Sequence, residues 1–116
     1  VIASPARNIA PKPTETPAPT VAYNRKAHYG NTPKKSDRVA LNATKADVVD
    51  HKVPLVKHYY EGDGKGGKPG YQMTKAERVA FANERKNMQL QPKAQSNAQG
   101  GQMSNYSKQK KKQYGL

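Results

Sequence analysis

The chain has no cysteine. That single absence excludes disulfides, cysteine-ligated zinc and thiol catalysis, and leaves His, carboxylate, amide and hydroxyl groups to carry any chemistry. Tryptophan is also missing, phenylalanine occurs once, and only 34% of the 116 residues are hydrophobic. A core of that composition is small and draws on part of the chain. No apolar run approaches the roughly 18 residues of a membrane span, so no spanning segment is expected, and no charged-then-apolar signal segment opens the sequence. Acid is scarce too. The 8 Asp and Glu stand against 21 Lys and Arg, for a formal charge of +13, and no acid follows Glu84. Such an excess points to a polyanionic partner: nucleic acid first, an anionic membrane surface or acidic protein second. Val1 in first place reads as the start of a fragment or processed product.

What the chain does have is organised around Val48-Val49-Asp50-His51-Lys52-Val53-Pro54-Leu55. An apolar pair runs into an acid and an imidazole side by side, and a proline closes the run. In an extended segment neighbouring side chains alternate between faces. Asp50 and His51 therefore serve one site only if the strand ends or bulges there, and Pro54 favours an early end. A carboxylate able to hold a divalent cation beside an imidazole able to take a proton from water is the minimal kit for metal-assisted hydrolysis. The plain alternative is a solvated Asp-His pair at a strand end.

Around this stretch the punctuation is clear. Residues 1–22 hold Pro5, Pro11, Pro13, Pro17 and Pro19, and read as a flexible, extended linker or equally as a disordered tail. Residues 23–116 are the expected domain. Gly30, Asn31 and Pro33 mark turns, and Val39-Ala40-Leu41 is a short apolar anchor. A first strand is expected within 45–55, with Val56-Lys57-His58-Tyr59-Tyr60 following it. Five glycines and a proline over 61–70 predict an exposed loop, without the glycine-lysine spacing of a P-loop. Thr74 with Glu77 three residues on has capping-box spacing. It opens a helix whose face holds Ala76, Val79, Ala80 and Asn83, with Phe81 to one side. Asn87 to Pro92 is the second strand, Met88 and Leu90 on one face. Ser96 to Met103 reads as a weak helical turn broken by Gly100-Gly101, ahead of a lysine-rich tail.

The order Asp50-His51, then Asn87 ahead of Met88-Gln89-Leu90, then Asn97-Ala98-Gln99-Gly100-Gly101-Gln102-Met103 resembles the HNH/endonuclease VII superfamily of nucleases. The last stretch is similar to the N-A-x-x-G-Q-M of phage endonuclease VII, and Asp50-His51-Lys52-Val53-Pro54 to the D-H-x-x-P of many HNH domains. Cysteine-free basic versions occur as C-terminal toxin domains of bacterial polymorphic toxins, including the Rhs-like and contact-dependent kinds. The resemblance covers about residues 25–102. It implies an α+β fold, a small ββα-metal (His-Me finger) core with a helical insertion.

The resemblance further implies that His51 is the general base, Asp50 and Asn97 are metal ligands, and Asn87 ties the strands together by side-chain to backbone bonds. The cation would be Mg²⁺, with Mn²⁺, Ni²⁺ or Zn²⁺ as alternatives. The activity would be a largely sequence-nonspecific DNA endonuclease, delivered as a toxin from an upstream carrier into a target-cell cytoplasm and checked by an acidic immunity protein. His58 is a candidate auxiliary ligand or else a buried or solvent-facing histidine. Arg38, Lys52, Lys110 and Lys111 are candidate phosphate contacts. Tyr59, Tyr60 and Tyr71 would stack on bases or pack in the core. The sequence departs from the family in lacking zinc-binding cysteine pairs, in its long insertion over 56–86, and in carrying Gly100 where the phage pattern has an acid. A non-enzymatic basic nucleic-acid binder, or an RNase, fits the same charge.

Overall fold

The computed structural model describes residues 17–116; of the linker expected over residues 1–22, residues 1–16 lie outside them. The fold is small and α+β. Helices α1 (Arg25–Tyr29) and α2 (Lys35–Ala40) precede strand β1 (Asp47–His51). Helices α3 (Leu55–Glu61) and α4 (Lys75–Ala82) separate it from strand β2 (Met88–Pro92), and α5 (Lys93–Tyr114) closes the chain. The two strands pair antiparallel, from Asp47 opposite Pro92 to His51 opposite Met88.

Each boundary has a local cause. Pro54 occupies the position before α3, so the strand ends by His51 and the chain re-enters as a helix. Val56 to Tyr60 is thereby helical, and β1 is shorter than the expected run. Thr74 and Glu77 form the reciprocal capping box at α4, with bonds of 3.0 and 3.2 Å. The buried face of α4 differs from the one that spacing suggested. Ala76, Ala80 and Asn83 are exposed, whereas Ala82 is fully buried and Arg78, Val79 and Phe81 are half-buried. The reason is aromatic, because the Phe81 ring stacks on His58 at 3.6 Å and turns the helix that way. Val39 anchors nothing, being 76% exposed at the end of α2.

The 22-residue α5 is unbroken through Gly100 and Gly101. Two interior glycines cost about 1 kcal/mol each, which an isolated helix of this composition would not withstand. Met103, Tyr106 and Tyr114 pack onto the core that contains Tyr60, and tertiary burial outweighs the propensity loss.

Tyrosine substitutes for the missing aliphatic bulk. All seven tyrosines belong to the core cluster or pack against it. Five of the hydroxyls, those of Tyr29, Tyr59, Tyr60, Tyr71 and Tyr106, have hydrogen-bond partners, as burial favours. Tyr59 donates to the carbonyl of Val21 at 2.8 Å, Tyr60 accepts from the amide of Tyr23 at 3.2 Å, and Tyr106 donates to the Glu61 carboxylate. Tyr71 donates to the carbonyl of Pro17, so residues 17–22 run along the aromatic core. Tyr59 and Tyr60 are 3% and 4% exposed. They are packing residues and have no face to offer a base.

Candidate active site

The last two residues of β1 meet at the mouth of one cavity. Alternation places Val49 and His51 on the buried side of the strand and Asp50 on the other. Because β1 ends at His51, both Asp50 and His51 still line the same space, which α5 covers with Ser96, Gln99, Gly100 and Met103. The cavity is about 540 Å³.

His51 is 5% exposed. Its Nε2 lies 2.8 Å from the carbonyl oxygen of Ala82, at the end of α4. A carbonyl only accepts, so Nε2 carries the proton and Nδ1 is left as the basic nitrogen of the ring. Burial is the main influence holding the imidazole below its usual range, and the nearby Arg25 charge acts the same way. The Ala82 bond and the carboxylates of Asp50 and Asp37 oppose them. The ring is therefore neutral at pH 7.

Asp50 presents the opposite situation. Its Oδ2 is buried and has no hydrogen-bond partner among the described residues. An unpartnered carboxylate oxygen beside a neutral imidazole is a costly arrangement that packing alone does not explain.

Asn87 holds the exit of β1 in place. Its Oδ1 accepts from the amide of Val53 at 3.0 Å and its Nδ2 donates to the Val53 carbonyl at 3.2 Å. Its own carbonyl accepts from the Lys52 amide at 2.5 Å. These three bonds fix the turn that ends the strand just after the Asp-His pair.

The remaining expected site residues scatter. Asn97 is exposed on α5 and does not line the cavity. It shares a helical stripe with Ser104 and Lys108, seven and eleven residues on. His58 is 1% exposed and sits in the core, far from an auxiliary-ligand role: its ring stacks on Phe81 and its Nδ1 shares a 2.7 Å hydrogen bond with the Tyr29 hydroxyl. Arg38 spends its guanidinium on the carbonyls of Asp47 and Thr44, both at 2.9 Å, and is a brace for the start of β1. Lys52 lines a separate depression beside Asp63. Lys110 lies over the rings of Tyr106 and Tyr114, at 5.5 and 5.9 Å from their centres, and does not line the cavity. Lys111 does line it.

Lining residues that were not named as site candidates from the sequence include Arg25, Ser96, Gln99 and Lys108. The signal for Ser96 and Gln99 is the helical spacing they share with Met103 and Ser107, with Lys108 at the edge of that face, and it is legible only if the helix runs unbroken through Gly100-Gly101. Gln99 accepts from the Gln91 amide at 2.8 Å, linking α5 to β2 at the cavity wall.

No protein-family model, curated protein or solved structure matches this chain. No helix among the described residues is long and apolar enough to cross a membrane.

Proposed function

We propose that the chain is a metal-dependent nuclease built on a ββα-metal core, with β1, β2 and the start of α5 as the motif. The observation that carries this reading is the partnerless Asp50 Oδ2 beside an imidazole whose Nε2 is committed to the Ala82 carbonyl. An orphaned buried carboxylate oxygen fits a cation. No group of three or more His, Cys, Asp or Glu side chains suited to a metal occurs among the described residues. One carboxylate with neutral oxygens nearby suits Mg²⁺, which retains waters and takes phosphate oxygens, better than zinc, which draws on several protein ligands. Bound at Asp50, such a cation would offset negative charge on the phosphate and the leaving oxygen.

The protein's own residues supply the rest. His51 Nδ1 accepts a proton from water, and the water oxygen bonds to phosphorus as the bond to the leaving oxygen breaks. The leaving oxygen takes a proton from solvent. Asn87 keeps the turn after His51 fixed, and the Ala82 carbonyl fixes the tautomer. Arg25 on the cavity wall and Lys108 and Lys111 on α5 attract the phosphodiester backbone, a contact without base information. DNA is the proposed polymer and RNA the alternative. A delivered antibacterial toxin with an acidic inhibitor is the setting that the motif order and the +13 charge favour.

The test is degradation of plasmid and RNA by the purified protein with Mg²⁺, with EDTA, and by His51→Ala. Cleavage lost both in EDTA and in the variant supports the reading. Intact nucleic acid under every divalent cation tried, with binding unchanged in His51→Ala, overturns it in favour of a basic binder without enzymatic activity.

A further inference from the structure

We propose that the cavity at Asp50 and His51 continues along α5 as a subsite for an unpaired nucleotide strand, which makes single-stranded or locally unpaired nucleic acid the substrate. The proposal rests on the nucleic-acid half of the reading above. It adds the apolar lining of the cavity to the cations already named.

The cavity-lining face of α5 runs from Ser96 to Lys111. At about 1.5 Å of rise per residue, that span is roughly 22 Å of helix. A duplex strand advances about 3.4 Å per nucleotide along its axis. The groove therefore reaches well beyond a single scissile phosphate.

Its floor and rim differ in chemistry. Half-buried Met103 and Tyr23 give it open apolar surface, set over Leu55 and Val56, which line it from beneath and are almost fully buried. Phosphates gain nothing from an apolar floor, but the face of a base does. Arg25, Lys108 and Lys111 lie on the same cavity and supply cations. Between the Asp-His pair and the two lysines, α5 contributes only Gly100, Met103, Ser104 and Ser107 to the lining. These small side chains beside one thioether keep that wall low.

In a duplex the base faces are covered by their neighbours and only edges show in the grooves. An unpaired strand exposes base faces and phosphates together, and proteins bind it with apolar or aromatic platforms inside a cationic groove. An apolar floor, a tyrosine and a cationic rim on one continuous cavity match that occupant. A surface that only held duplex phosphates would need the cations alone.

The experiment is fluorescence polarisation in EDTA with labelled oligonucleotides of about 12 nucleotides, within the site sizes of single-strand grooves. The arms are single-stranded DNA, RNA of the same sequence, and the DNA duplex, at matched salt. The single strand of one or both sugars is expected to bind roughly ten-fold more tightly than the duplex, the scale of stacking one base. The tighter of the two single-stranded arms identifies the sugar. Ser104→Gln fills the groove at an exposed helix position with a polar side chain that offers no stacking ring, and should bring the ratio of single-strand to duplex affinity to about one. Lys108→Gln with Lys111→Gln should flatten the log–log salt slope of single-strand binding by roughly 1.4. Equal or tighter duplex binding by the wild type, or a single-strand preference that survives Ser104→Gln, overturns the proposal. Because binding is read without cation, a protein that prefers single strands but cleaves nothing would retain this subsite and lose the nuclease reading. Plasmid cleavage without strand preference would do the reverse.

Discussion

His51 is joined to Ala82, thirty-one residues further along, by a single 2.8 Å hydrogen bond from its ring to the carbonyl that ends α4. The insertion between the strands is thus part of the site, because its second helix sets the tautomer of the imidazole at the end of β1. Four consequences of such couplings are open to measurement.

Asp50 stands in conflict with stability. Asp50→Ala removes a buried oxygen without a partner, and is expected to stabilise the fold by about 1 kcal/mol in urea unfolding. The same change should abolish nuclease activity. Mg²⁺ should raise the melting temperature of the wild type with concentration and leave Asp50→Ala unmoved. A variant less stable than the wild type, with an undiminished Mg²⁺ response, contradicts the assignment.

Asn87→Ala should lose two side-chain bonds to the Val53 backbone. A cost of about 1–3 kcal/mol is expected, since the Val53 groups are left without those partners. Activity should fall even at temperatures where the variant remains folded, because the turn after His51 is no longer fixed. Full activity in a folded Asn87→Ala protein would show that the turn holds itself.

Gly70 has no room for a methyl group. A Cβ there would lie 2.1 Å from the Tyr29 hydroxyl and 3.0 Å from the Tyr59 Cα. Gly70→Ala is therefore expected to destabilise by at least about 1–3 kcal/mol, the usual cost of overpacking a core. Loss of the Tyr29 to His58 hydrogen bond would accompany it, visible as a shift of the His58 ring resonances.

His58 links stability to pH. Burial holds it down to about 4 from an unfolded value of 6.5, partly offset by the Asp63 carboxylate. Between those values the unfolded chain binds a proton that the folded chain refuses. Stability is thus complete above about pH 6.5 and is lost as pH falls towards 4, by an amount on the order of 3 kcal/mol. Urea titrations at steps across that window should show the decline. His58→Phe, which keeps a ring against Phe81 but cannot titrate, should reduce its slope; an unchanged slope would place the effect on other groups.

Arg78 is a brace that charge counting overlooks. Its Nε donates to the His28 carbonyl at 3.0 Å, and its Nη1 to the carbonyls of Gly70 and Met73 at 3.2 and 2.5 Å. It joins α1, the turn after the glycine loop and the approach to α4. The sequence presented it as one of 21 basic residues, and the structure makes it internal.

The sequence by itself determined whatever depends on neighbours along the chain. Thr74 and Glu77 announce the start of α4, Pro54 ends β1 and opens α3, and Pro92 marks the end of β2. The position of Asp50-His51 at a strand end, and of Asn87 beside the second strand, follows from the same local rules. Tertiary structure decided what depends on contacts between distant segments. Gly100-Gly101 reads as a break until Met103, Tyr106 and Tyr114 bury themselves against α3 and hold α5 whole. His58 reads from the sequence as a ligand, a partly buried or a solvent-facing histidine, and the enclosing Phe81 and Tyr29 decide for the core. Tyr59 and Tyr60 become core because the chain has little else to bury, and Arg25 and Lys108 reach the cavity through helices whose placement no local pattern encodes. Propensity and capping act over a few residues. Burial sums over the whole chain, and at these positions it outweighs them.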